Sequence, residues 1–133
     1  MVTLKEMYNL EYSNSGVKSS LILWYNRLLD KTYEELSELD VTRMTRQGIL
    51  VDIATKRAVE LFSFQPYKGE ILDGSLIEVL TTIDIQHFSS DIKNQLREML
   101  EFISTDYENF EWLDENSKIN YHKNIKLMLN KIG

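Results

Sequence analysis

This chain of 133 residues has only two imidazoles, His87 and His122, and no cysteine with which to do nucleophilic or metal chemistry. The two histidines lie 35 positions apart. Neither stands in an HxxxH or Glu-x-x-His pattern, the spacings that bring two ligands, or a base and its partner, onto one helix face. A two-histidine site would have to be assembled by the fold alone. Carboxylates are plentiful, but the neighbouring pairs Glu34-Glu35 and Asp114-Glu115 are most simply charges at helix starts, where the backbone dipole favours them. Arg43 and Arg46 are three apart on one helical face and could hold a phosphate or an acidic partner. The simpler reading is a pair of ion contacts with carboxylates such as Glu70 or Asp73, with Gln47 bonded to loop backbone. No stretch offers a nucleophile, a metal cage or a phosphate cradle, so no catalytic residue, metal or cofactor is expected.

Charge is distributed unevenly. The formal net charge is −6, which argues against nucleic acid as a direct ligand, since phosphates are neutralised by Lys and Arg. Between Glu98 and Glu115 lie seven acids and no Lys or Arg, leaving 14 of the 21 acids against all 15 basic residues elsewhere. The whole negative excess therefore sits in one segment. Within it, residues 105–116 interleave acids with aromatics: Asp106, Tyr107, Glu108, Phe110, Glu111, Trp112, Asp114 and Glu115. One reading is a contact surface for a basic partner, in which Tyr107, Phe110 and Trp112 supply desolvated anchors and the acids supply attraction. The other is a solvated acidic loop whose aromatics turn inward to plug the core.

The elements that must position these residues are helical. Leu21, Trp24, Tyr25 and Leu28 fall at i, i+3, i+4 and i+7 within 19–30, with Trp24 expected in the core. Thr32 and Glu35 have capping-box spacing, and Asp40 is a second candidate cap ahead of residues 41–47. Gly48 suits a helix end. Leu50, Ile53, Ala54, Ala58, Leu61 and Phe62 predict a helix over about 50–62, roughly 20 Å long. Pro66 ends it, because the residue before a proline is pushed out of the helical region. Asp73 or Ser75 can start the next helix, with Leu72, Leu76, Ile77, Leu80 and Ile83 on its face. Ser89 or Ser90 can cap a helix carrying Ile92, Leu96, Met99, Leu100 and Ile103. Asp114 can cap a last one carrying Ile119, Ile125, Met128, Leu129 and Ile132, with Lys126 and Lys131 near the end where the dipole favours cations. No alternating run is long enough to demand a sheet. The expectation is an all-α, single-domain bundle of about five to seven helices over residues 1–133, with residues 1–18 left open between a short helix and a strand, followed by a turn at Asn14-Ser15-Gly16.

Length and composition agree. With 43% hydrophobic residues, a chain of this size can bury about two-thirds of the surface its unfolded form exposes. The absence of Cys suits a reducing compartment. The start of the chain lacks a signal-peptide pattern, and the longest uncharged apolar stretch, residues 19–26, is far short of a membrane span.

Several of these motifs together resemble the contact-dependent growth inhibition (CDI) immunity proteins of bacteria. The features are the helical opening Leu36-Ser37-Glu38-Leu39-Asp40, the step Arg43-Met44-Thr45-Arg46-Gln47, and the helix Ala58-Val59-Glu60-Leu61. The turn from Pro66 to Gly74, containing Gly69, Glu70 and Asp73 and followed by Leu76-Ile77, completes the set. They fall within 32–80, with vaguer similarity through the 92–103 helix; Asp52-Ile53 departs from the pattern, which has a more apolar run there. The resemblance implies a small, non-catalytic cytoplasmic protein. Its partner would be the C-terminal toxin domain of a cell-surface delivery protein, often a nuclease acting on tRNA or DNA, which it binds and blocks without touching nucleic acid or membrane itself. It assigns no toxin-contacting residue. An adaptor that recruits another basic cytosolic protein through the same surface is the alternative; a hydrolase using carboxylates and a histidine has no motif in its favour.

Overall fold

Seven α-helices appear among the residues that the computed structural model describes, which are 2–11, 20–67 and 75–133. They are α1 (Leu4–Met7), α2 (Ser20–Leu29), α3 (Glu38–Gln47), α4 (Val51–Phe64), α5 (Ser75–Thr82), α6 (Ser90–Asp106) and α7 (Glu115–Ile132). Single 3-10 turns lie at Tyr33–Glu35, Ile85–His87 and Tyr107–Asn109. The architecture is the all-α bundle that the periodicity predicts. The turn at Asn14-Ser15-Gly16, the start at Asp73 and the face position Leu72 lie outside the described residues.

Helix α4 occupies the middle of the bundle, packed against α3, α5 and α6, while α7 closes over α5 and α6. Its face carries Ala54, Ala58 and Phe62, all completely buried, with Thr55 and Val59 beside them. Leu50, Ile53 and Leu61 are only partly buried against the same core. From the other helices come Trp24, Leu28, Val41, Met44, Ile77, Leu80, Leu96, Leu100, Ile103, Tyr121, Ile125 and Met128, in one continuous cluster. Each large apolar side chain so enclosed contributes about 1.5–3 kcal/mol relative to exposure. Ile119 is a correction: it is 59% exposed, and Tyr121 takes the buried place in that part of α7.

The helix ends show where sequence signals compete. Helix α3 starts at Glu38, one residue after its cap, Ser37, so Asp40 is not an N-cap. It is the third residue of a capping box: Ser37 Oγ accepts from the Asp40 N–H at 3.2 Å, and Asp40 Oδ2 accepts from the Ser37 N–H at 3.1 Å. The same Oδ2 receives the Lys31 ammonium at 2.7 Å. Burial alone would raise the Asp40 pKa, but Lys31 and the Ser37 N–H more than offset it and hold the carboxyl below its usual range. At Thr32 the box is built around a 3-10 turn. Glu35 Oε1 accepts from the Thr32 N–H at 2.9 Å, and the Glu35 N–H, which faces the buried Thr32 side chain, goes to the Thr32 carbonyl.

The three residues between α3 and α4 turn the chain sharply. Gly48 ends α3 at φ 68°, and Leu50 opens α4 at φ 47°, a left-handed conformation that is costly for a branched side chain. Leu50 packs against the core in exchange. At the N-terminal end, α1 is a single turn, and Thr3 forms an isolated antiparallel bridge to Thr32. The Leu4 N–H donates to the Lys31 carbonyl at 2.8 Å, seating the fully buried Leu4 side chain.

Basic side chains satisfy backbone carbonyls where helices stop. Lys131 Nζ donates to the Thr81 carbonyl at 2.9 Å and also to that of Ile83, closing the end of α5 rather than its own helix. Burial lowers its pKa, with Asp84 acting in the opposite sense. Arg97 reaches the Ile132 carbonyl at 3.1 Å, and Arg57 reaches those of Leu36 and Glu34 at 3.0 and 2.8 Å.

Two substitutions test these ends. Gly48→Ala should cost about 1 kcal/mol by urea unfolding; nothing lies within 4 Å of an added Cβ, so backbone strain is the whole effect. Asp40→Ala should cost about 1–2 kcal/mol at neutral pH. Because the folded carboxyl titrates below its unfolded value, its stabilisation is complete above an unfolded pKa of about 4 and is lost as pH falls through the lower folded value. The gap between wild type and Asp40→Ala should therefore narrow towards about pH 2. A gap that is constant across that range would show that the stabilisation does not come from the ionised carboxylate.

Candidate functional site

Residues 105–116 leave the end of α6, pass through the 3-10 turn at Tyr107–Asn109 and enter α7 at its cap, Asp114. The segment divides by chemistry. Tyr107 is 8% exposed, its ring 4.9 Å from that of His122. Its carbonyl accepts from the Trp112 indole N–H at 2.8 Å, which folds the loop back on itself. Trp112 lies 4.7 Å from Phe110 and 4.8 Å from Tyr121, centroid to centroid, and Tyr67 lies 4.9 Å from Phe110 and 5.6 Å from Tyr121. These tilted and edge-on geometries are the favourable ones for aromatic pairs. Phe110 and Trp112, both half-buried, thus form a stack with Tyr67 and Tyr121, while Tyr107 is buried against His122.

Hydroxyl groups tie that stack down. Tyr121 donates to the Pro66 carbonyl at 2.8 Å, and Tyr67 donates to Asp106 Oδ2. Burial raises the pKa of both phenols, helped by the Asp106 carboxylate beside Tyr67. Tyr107 is raised as well, by burial first and then by the carboxylates of Glu108 and Glu115.

The acids go the other way. Glu108, Glu111, Asp114 and Glu115 are exposed, and Asp106 is half-buried under Tyr67. Asp114 Oδ1 accepts from the Ser117 N–H at 2.7 Å, and that bond lowers its pKa. A recess of about 330 Å³ opens between the loop and α7, lined by Tyr107, Glu108, Glu115, Lys118, Ile119 and His122. His122 Nδ1 is buried there without a hydrogen-bond partner.

The remaining sequence candidates keep separate company. The Arg43 guanidinium stacks 4.8 Å above the Trp24 ring. Arg46 and Gln47 are exposed. Gly69, Glu70 and Asp73, and with them the expected ion pairs to Arg43 and Arg46, lie outside the described residues. His87 Nδ1 meets Asp52 Oδ1 at 2.6 Å, joining the 85–87 turn to the start of α4. No group of three or more His, Cys, Asp or Glu side chains among the described residues could hold a metal ion. Sequence reasoning missed the His87–Asp52 contact and the parts played by Tyr67 and Tyr121. Tyr121 had a usable signal, lying four residues before Ile125 on the buried stripe of α7.

No helix among the described residues is long and apolar enough to cross a membrane. The molecule is an all-α bundle with an acidic outer edge carried on an aromatic stack. The sequence model for the CDI immunity proteins matches residues 6–99, and the chain belongs to that family. No curated protein matches it. The match ends inside α6, so the 105–116 segment and all of α7 lie beyond it.

If the stack is structural, Trp112→Ala should lower stability by about 2–3 kcal/mol, less than for a fully enclosed Trp because this ring is half-buried. Thermal and urea unfolding would measure it. An unchanged midpoint would mean that the rings do not hold the loop.

Proposed function

We propose that this immunity protein binds the C-terminal toxin domain of its cognate surface-delivered partner in the cytoplasm. It neutralises that domain by occlusion, without turnover. The toxin class this suits best is a nuclease acting on tRNA or DNA. One observation carries the proposal: seven acids and no base between Glu98 and Glu115, with the exposed ones turned to solvent by a loop whose aromatics are anchored inward. A nuclease cleft is built to attract phosphates, and a fixed array of carboxylates presents it with a competing anionic surface. Attraction of this kind raises association rates towards about 10⁸–10⁹ M⁻¹s⁻¹ at low salt. Glu108, Glu111, Asp114 and Glu115 are the charges in a position to act, with exposed Leu113 and half-buried Phe110 as the apolar residues among them.

The partner to test is the C-terminal domain of the cognate surface-delivered protein, to be sought among the products of neighbouring genes. Reversing Glu108 and Glu111 to Lys should slow association with it by roughly tenfold at low salt and flatten the salt dependence. Stopped-flow mixing at several salt concentrations would measure both. Unchanged rates and slopes would remove the acidic segment from the interface.

A further inference from the structure

Tyr107 and Trp112 are turned into the bundle, so an apolar contact must come from residues left open beside the acids; in the loop itself that is Leu113, 82% exposed. Two phenylalanines are unusually open: Phe64 is 78% exposed at the end of α4, and Phe102 is 64% exposed on α6. Side-chain contacts on either side of them set these elements alongside one another. The Ser63 hydroxyl meets Met99 Sδ at 2.9 Å, and Tyr67 hydrogen-bonds Asp106. The run 63–67 therefore lies along the run 99–106, so Phe64 and Phe102 stand on adjoining elements. On α6, Phe102 sits between Glu98 one turn before and Asp106 one turn after, with Glu101 adjacent.

We infer that Phe64 and Phe102 form the apolar centre of the toxin-binding surface, with the acids of α6 and the following loop as its rim. The inference rests on the toxin-neutralising reading and moves its anchor from the loop aromatics to the α4–α6 edge. A single exposed apolar residue needs no explanation, but two open aromatics on adjoining elements do, one of them, Phe102, within the stretch that holds seven acids and no base. The occupant that fits is a cationic domain with an apolar patch inside its basic face. Large aromatics at the centre, ringed by groups that exclude water and steer approach, are the usual composition of an energetic hot spot.

The test measures binding of the full chain to the C-terminal domain of the cognate surface-delivered protein by surface plasmon resonance, at low and high salt. Phe64→Ala and Phe102→Ala should fold as wild type, because neither ring is enclosed, and each should weaken binding at least tenfold, mainly through faster dissociation that persists at high salt. Leu39→Ala, an exposed apolar residue on α3, should leave binding unchanged. If the wild type binds and both Phe variants dissociate at its rate, this inference fails while the immunity reading stands. If the wild type does not bind, the immunity reading fails and takes the inference with it. Sedimentation of the free chain covers the other occupant: self-association abolished by either variant, with toxin binding unaltered, would assign the patch to a second copy and overturn the proposal.

Discussion

Ala54 and Ala58 present only a methyl group each and are completely enclosed on α4, the helix that packs against α3, α5 and α6, and the bundle depends on that enclosure. A larger side chain at either place would push neighbouring helices apart, since interiors are packed too densely to absorb added volume without strain. With α4 so enclosed, the backbone groups at surrounding helix ends need partners that do not disturb the packing. Long side chains provide them from a distance: Arg57 to the 34–36 carbonyls, Lys131 to the end of α5, and Arg97 to the end of α7. Tyr121 does the same for Pro66, which follows α4. Core and latches are one solution to a single problem, the seating of a central helix.

The acidic edge depends on that arrangement. Carboxylates crowded into one segment repel each other, and a free loop would spread them. Here the loop is closed by the Trp112–Tyr107 hydrogen bond and weighted by the Tyr67, Phe110 and Tyr121 rings, so the charges are displayed from a fixed base. Such preorganisation lowers the entropy lost on association. The inward and outward readings of residues 105–116 describe different side chains of one loop, the rings serving the fold and the acids facing solvent.

Helical periodicity made α2, α4 and α6 legible because each has a stripe that keeps phase over several turns. It failed locally in α7. Ile119 is six positions before Ile125, well off the stripe shared by Ile125, Met128 and Ile132, whereas Tyr121 is on it. Hydropathy ranked isoleucine above tyrosine, and phase decided. At α3 both Ser37 and Asp40 are good capping residues, and composition alone does not tell an N-cap from the carboxylate three residues further on that answers it. The contacts of His87 with Asp52 and of Arg43 with Trp24 join positions far apart in sequence, where no local spacing carries information. The Asp52 side chain is 81% exposed, so solvent accommodates a carboxylate at the start of α4. Of the candidate site, the charge asymmetry was readable from composition; the direction in which each side chain points was not, because it follows from Tyr67 and Tyr121, contributed by other elements.

The two tryptophans also give this molecule a pair of built-in optical reporters. Trp24 lies beneath a guanidinium on the α2–α3 side, and Trp112 lies within a cluster of rings directly under the acidic loop. Indole emission and near-ultraviolet dichroism respond to immediate surroundings, so the two chromophores register events at different places. A ligand seated on the loop perturbs one and spares the other, and replacing either indole with phenylalanine leaves a single-colour sensor for one side of the bundle.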